Sequence, residues 1–208
     1  MKTLDPFSFS HAAATAELED FKTLLDSKAE LSEKYELLPF FRQHRHLSLL
    51  IGSASLNVSG LDRLAFEYDL FGDFVCDVVL GDSRRNAYAL VEFEDARAAS
   101  VFQAGEKYTH EWGRRFEHGF SQIVDWFWKL DDQCKTGEFR NRFGAQEARF
   151  SALLVIGRTG FLPQRERQRL NWRLDRVLIN SNKVSCLTFD DLYADLRDQL
   201  ASLALLAK

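Results

Sequence analysis

Two apolar runs that each carry acids constrain this chain more than any other feature of its 208 residues. Residues 73–81 (DFVCDVVLG) and 86–95 (NAYALVEFED) have the length and the β-branched or aromatic content of strands, and the polar stretch GDSRRN at 81–86 reads as the hairpin connection between them. A third such run, LAFEYDLF at 64–71, precedes them, so a three-stranded antiparallel unit is expected. Side chains alternate faces along a strand, so Asp77 shares a face with Val75 and Val79, and Glu92 shares one with Leu90 and Glu94. A turn between Arg84 and Arg85 sets Asp77 directly opposite Glu92, and directly opposed residues of an antiparallel pair project to the same side. Three carboxylates then converge.

Like charges opposed on adjacent strands repel, and acids set among Val, Leu and Phe lose hydration as well. A hard divalent cation, Mg²⁺ or alternatively Mn²⁺, offsets both costs, because it prefers carboxylate and water oxygens and leaves positions open for phosphate. The alternation is equally met if the acids face solvent, where they need no ion.

The remaining pattern supplies helices and further strands. Apolar spacing predicts a helix over 12–29 with Leu18, Phe21, Leu24 and Leu25 on one face. A second helix begins at Ser32, with Glu33 in its first turn, apolar positions at Leu37, Leu38 and Phe41, a bend at Pro39 and an end near residues 46–49. The Gly- and Ser-rich stretch 52–60 reads as a loop between this helical part, residues 1–60, and the strands. Phe116, Phe120, Ile123, Phe127 and Leu130 predict a long helix over 111–131, in which Gly119 costs about 1 kcal/mol relative to Ala and permits close packing. Residues 132–147 read as irregular. A buried strand (FSALLVIG), a helix opened by Pro163 (PQRERQRLNWRLDRVLI), a strand (KVSCLTF) and a terminal helix from Asp190 and Asp191 follow. That order predicts an α/β fold with a mixed central sheet flanked by helices, in one domain whose helical N-terminal part packs on the core.

GDFVCDVVL followed by AYALVEFED resembles the D…ExK signature of the PD-(D/E)XK nuclease superfamily, and more closely the Shedu-type nuclease domain family. HGFSQIVDWFWKLDD, LLVIGRTG and VSCLTFDDLYADL look like that family's later blocks, so the resemblance covers roughly residues 30–200. It implies a restriction-endonuclease-like core, Mg²⁺-dependent DNA cleavage in defence against bacteriophage, and a homo-oligomer. By position, Asp77 and Glu92 match the metal-binding acids. Glu33 is the better match to the superfamily's helical acid, with Glu17 the weaker one, and Gln122 matches a polar residue on the helix after the motif strand. Glu94 departs from the pattern, since most members have lysine there. Some restriction endonucleases of the superfamily use glutamate at this place, where it could bind metal or accept a proton but not stabilise developing negative charge.

Arg115, His118, Gln122, Asp125 and Lys129 form a polar stripe on the long helix, which also fits a solvated face. The net charge of −4 does not advertise a nucleic-acid binder, yet residues 139–176 hold nine Arg and three acids. Within them Arg165, Arg169, Arg173 and Arg176 form a row suited to phosphate, to solvent, or to the acids of another subunit, and Arg158 lies just past a buried strand. Cys76, Cys134 and Cys186 show no metal or disulfide spacing, and no window has the 18 apolar residues of a membrane span. A cytoplasmic protein without an organic cofactor is expected. Two functions remain open: a metal-dependent DNA endonuclease, and a catalytically degenerate relative that binds DNA or a partner protein.

Overall fold

A computed structural model describes residues 4–55, 58–106, 108–179 and 181–206; positions 56 and 57 of the expected loop, the first three residues and the last two lie outside them. In chain order the elements are β1 (Asp5–Pro6), α1 (His11–Ser27), a π-helical turn (Glu33–Leu37), α2 (Leu38–Gln43), α3 (Arg45–Ser55), β2 (Arg63–Leu70), β3 (Phe74–Asp82) and β4 (Ala87–Phe93). Then come β5 (Phe102–Gln103), β6 (Glu111–Trp112), α4 (Arg114–Gln133), α5 (Gly137–Phe143), β7 (Arg149–Val155), α6 (Gln164–Arg176), β8 (Leu178–Ile179), β9 (Asn182–Leu187) and α7 (Phe189–Leu206).

A seven-stranded mixed sheet in the order β1-β2-β3-β4-β7-β9-β8 forms the centre, with helices on both faces. Strands β1 to β4 run antiparallel, β4, β7 and β9 run parallel, and β8 returns antiparallel along the edge. This is the α/β class that the alternation of strands and helices predicts. Among the described residues no helix is long and apolar enough to cross a membrane.

The hairpin register follows from its turn. Buried Asp82 accepts the N–H groups of Arg84 and Arg85 through Oδ1 at 3.0 and 3.1 Å, and Asp62 accepts the Ser83 N–H at 2.9 Å. Val78 then pairs with Val91, Leu80 with Ala89 and Asp82 with Ala87. Continued by one residue, that register sets Asp77 against Glu92, as a turn between Arg84 and Arg85 requires. Val78, Leu80, Ala89 and Val91 pack toward α1, α2, α3 and α7, while Val79 and Leu90 pack toward α4 and α5. By parity Asp77 and Glu92 belong to the α4 side.

Four local expectations need correction. The helix begun at Ser32 does not continue to residues 46–49: it breaks at His44, and α3 carries on through residues 52–55, which read as loop. The small residues there serve packing, since a Cβ on Gly52 would come within 2.9 Å of Leu61 and 3.1 Å of Leu80. Residues 132–147 contain α5, which Thr136 caps by accepting the Phe139 N–H and which buries Phe139 and Phe143. The basic helix stops at Arg176, short of the expected VLI end, so Val177 and Leu178 are exposed and Leu178–Ile179 pairs with β9. Glu111 and Trp112, placed in the long helix by spacing, instead pair with β5.

Gly119 is where α4 meets the sheet. A Cβ there would stand 2.7 Å from Leu154 Cδ1 and 3.1 Å from Glu94 Cγ. On an exposed helix Gly→Leu stabilises by just under about 1 kcal/mol. Here Gly119→Leu is expected to destabilise by about 1–3 kcal/mol through overpacking, measured by urea unfolding. Equal or greater stability would show that α4 does not pack this closely.

Candidate metal centre

The end of the β3–β4 hairpin presents its acids to α4. Glu92 is 5% exposed and Glu94 1%, while Asp77 is partly buried. Asp77 Oδ2 accepts the Phe93 N–H at 2.9 Å, a bond that holds its carboxyl against the neighbouring strand. Gln122, one turn along α4 from His118, donates through Nε2 to Glu92 Oε1. Glu92 Oε2 is buried without a hydrogen-bond partner among the described residues.

Glu94 is treated differently. Its Oε1 meets His118 Nδ1 at 2.6 Å and its Oε2 accepts from Arg115 Nη1 at 3.2 Å. The same guanidinium stands 3.3 Å from Asp95 Oδ2 and 3.6 Å from Glu33 Oε2. Glu33 sits in the π-helical turn, and its N–H donates to Asp95 Oδ1 at 2.8 Å, so that turn is fastened to the chain just past β4. Glu67 of β2 also belongs to this neighbourhood: its charge acts on Asp77, its φ is +48°, and it ion-pairs with Arg42.

Burial dominates the acid–base behaviour. It pushes Asp77 up to about 7, against the Phe93 N–H bond that favours its charged form, with Glu33, Glu94 and Glu67 raising it further. Burial and the charges of Asp77, Glu94 and Glu33 hold Glu92 well above the ordinary carboxylate range, with Gln122 opposing them. Glu94 and Glu33 are also raised, chiefly by burial, less strongly because His118 and Arg115 oppose it.

The structure brings several of the sequence-predicted residues together. Glu33, Asp77, Glu92, Glu94 and Gln122 all occupy this corner. Glu17 does not join them, since its Oε2 accepts the Leu47 N–H and ties α1 to α3. Potential ligand atoms of Glu92, Glu94 and His118 lie within 4.8 Å of one another, so the site includes a histidine beside the expected acids. Arg115 of the polar stripe is a further member, and so is Asp95, which spacing did not single out. Strand alternation would turn Asp95 away from Glu94, but β4 ends at Phe93 and releases it.

A divalent cation fits this donor set. The test is Glu92 Oε2, which has left water and gained no donor, amid acids whose charges repel. Asp77 and Glu92 supply hard oxygens of the kind such an ion takes.

The family model described as "Shedu protein SduA, C-terminal" matches residues 30–193, a span that contains every acid of the site. The chain belongs to this family. No curated protein matches it. In this Shedu-family chain Glu94 is a buried carboxylate whose two oxygens are held by side chains of α4.

Arg158 and half of the arginine row are committed to the protein itself. Arg158 grips Asp190 at 2.9 Å and donates to the carbonyls of Leu25 and Lys28, clipping α1 to the start of α7. Arg173 pairs with Glu117 over the rings of Trp112, Phe116 and Phe120, and Arg169 donates to the His110 carbonyl over Phe102 and Trp112. Arg165 and Arg176 are exposed and make no ion pair among the described residues.

Raised carboxyl pKa values carry a sign. The folded state holds these protons more tightly than the unfolded chain, so their contribution to stability is complete below the ordinary carboxylate range. It is lost as pH rises, through about 7 for Asp77. Metal-free protein should therefore melt lower at pH 8 than at pH 5. Glu92→Gln should recover about 1–3 kcal/mol at pH 8 in the presence of chelator, because a neutral amide removes the buried charge. A lower melting point for Glu92→Gln at pH 8 would contradict this assignment of the strain.

Proposed function

We propose that this chain is a metal-dependent DNA endonuclease of the PD-(D/E)XK superfamily that nicks or cleaves DNA in the cytoplasm as part of an anti-phage defence system. One observation carries the reading: Glu92 offers a buried, partnerless oxygen beside Asp77 at the place where the family signature has its metal-binding acids. Asp77, Glu92 and Glu33 would hold Mg²⁺ or Mn²⁺. When bound, such an ion would supply Lewis-acid polarisation of a phosphodiester oxygen and neutralise charge in the transition state.

The chain's own residues prepare that site. Phe93 N–H fixes Asp77, and the Gln122 amide fixes Glu92, so both carboxyls are oriented before any substrate arrives. Arg115 balances Glu94, Asp95 and Glu33, which supports keeping the acids together in one half-buried corner. Exposed Arg165 and Arg176 support contact with DNA phosphates, a role for which the inward-turned Arg158, Arg169 and Arg173 are poorly disposed. Exposed Trp128 and Val75 support association of copies into a homo-oligomer.

A second reading has its own support. With Glu94 in place of lysine, the motif lacks its usual cation, as a relative that binds DNA or a partner protein without cleaving would. Plasmid DNA incubated with purified protein and Mg²⁺ or Mn²⁺ decides between them. The nuclease reading expects nicking that falls about 100-fold or more in Asp77→Ala and in Glu92→Ala, the scale on which one lost transition-state contact is felt. Retarded migration of DNA without nicking, under either metal, would favour the binding protein.

A further inference from the structure

Glu92 and Glu94 lie two residues apart on one face, yet the protein uses them in opposite ways. Glu92 keeps an oxygen without a partner. Glu94, at 1% exposure the more deeply buried, spends both oxygens, one on His118 and one on Arg115. A carboxylate tied at both oxygens to side chains of one helix is fixed in orientation. It is well suited to orienting the groups that bond to it.

What it orients is His118. The side chain is 61% exposed, so it stands at the mouth of the site rather than inside it, while its Nδ1 is anchored 2.6 Å from Glu94 Oε1. Arg115 donates to the other oxygen, so with the proton of the His118 bond on Nδ1, Glu94 accepts at both oxygens. Gln122 Nε2 also approaches Nδ1, at 3.5 Å, but that amide already donates to Glu92. Nε2 then carries a lone pair, and it makes no hydrogen bond to the described residues. Glu92, Glu94 and His118 each offer a ligand atom within 4.8 Å of the others, so the imidazole stands beside the acids of the site.

We propose that Glu94 is a positioning residue which fixes the His118 tautomer, and that His118 Nε2 is the proton acceptor for the attacking water, a carboxylate–imidazole pair standing where the motif has lysine. The inference rests on the nuclease reading given above. In the step, the water oxygen bonds to phosphorus as its proton passes to Nε2. The bond from phosphorus to the leaving sugar oxygen breaks with its electron pair, and the imidazolium then returns the proton to that oxygen or to solvent. No oxidant or further reactant is needed. Arg115 supplies a fixed positive charge in the same corner.

Nitrogen-15 NMR of histidine-labelled protein at pH 8.5 reads the tautomer directly. Nδ1 should be protonated and Nε2 unprotonated, and Mg²⁺ should leave that pattern in place. Glu94→Ala should collapse the preference, and Glu94→Gln, which keeps an acceptor and is the less disruptive change, should retain it. Protonated Nε2 in the wild type, or a Mg²⁺-induced shift marking coordination at Nε2, would overturn the proposal. In plasmid nicking His118→Gln should lose about 100-fold in kcat with little change in KM, and His118→Ala should be partly restored by free imidazole. If wild type nicks, Glu92→Ala does not, and His118→Gln retains full rate, this inference fails while the nuclease reading stands. If wild type never nicks, it is the nuclease reading that fails, and the NMR pattern still reports whether the pair exists.

Discussion

Burying a carboxylate is expensive unless donors or an opposite charge replace the lost water, and at Glu92 the fold supplies one donor where two oxygens need satisfying. The deficit is not local carelessness, because neighbouring Glu94 is fully satisfied by two side chains of the same helix. Asp77, Glu94 and Glu33 raise Glu92 further, so the corner is poised against its own negative charge. Stability is given up at this place, as expected where a fold reserves a position for something it does not itself contain.

Several remote features converge to hold that corner. The Asp82 turn sets the register that opposes Asp77 and Glu92, and the absence of a side chain at Gly119 lets α4 come down onto Glu94 and Leu154. Arg115 then links the π-helical turn, the end of β4 and α4 through Glu33, Asp95 and Glu94. Each is a short-range constraint, and together they fix the positions of acids drawn from segments some sixty residues apart.

The hairpin was legible in the sequence because strand alternation has a fixed period and the turn residues set the register; Asp77 and Glu92 followed from those two facts alone. Gly119 was legible as a close approach, since little else explains glycine inside an aromatic helix face. The role of Asp95 was not legible, because alternation fails one residue past the strand. Nor was the engagement of His118 and Arg115, since a polar stripe looks the same whether it faces solvent or a buried acid on another element. The ring contacts of Arg169 and Arg173 were hidden for a related reason: they are made to β5, β6 and α4, partners that spacing within α6 cannot reveal. Composition also misled at residues 52–55, where small residues mark tight helix packing rather than a loop.

The open oxygen of Glu92 is the feature that decides what this corner is for. Crystals soaked in Mn²⁺ and measured for anomalous scattering test it most directly. The expected result is a peak within coordination distance of Glu92 Oε2 and of Asp77, absent from Glu92→Gln crystals treated alike. A map with no peak in that corner at millimolar Mn²⁺, or one with a peak that persists in Glu92→Gln, would contradict it.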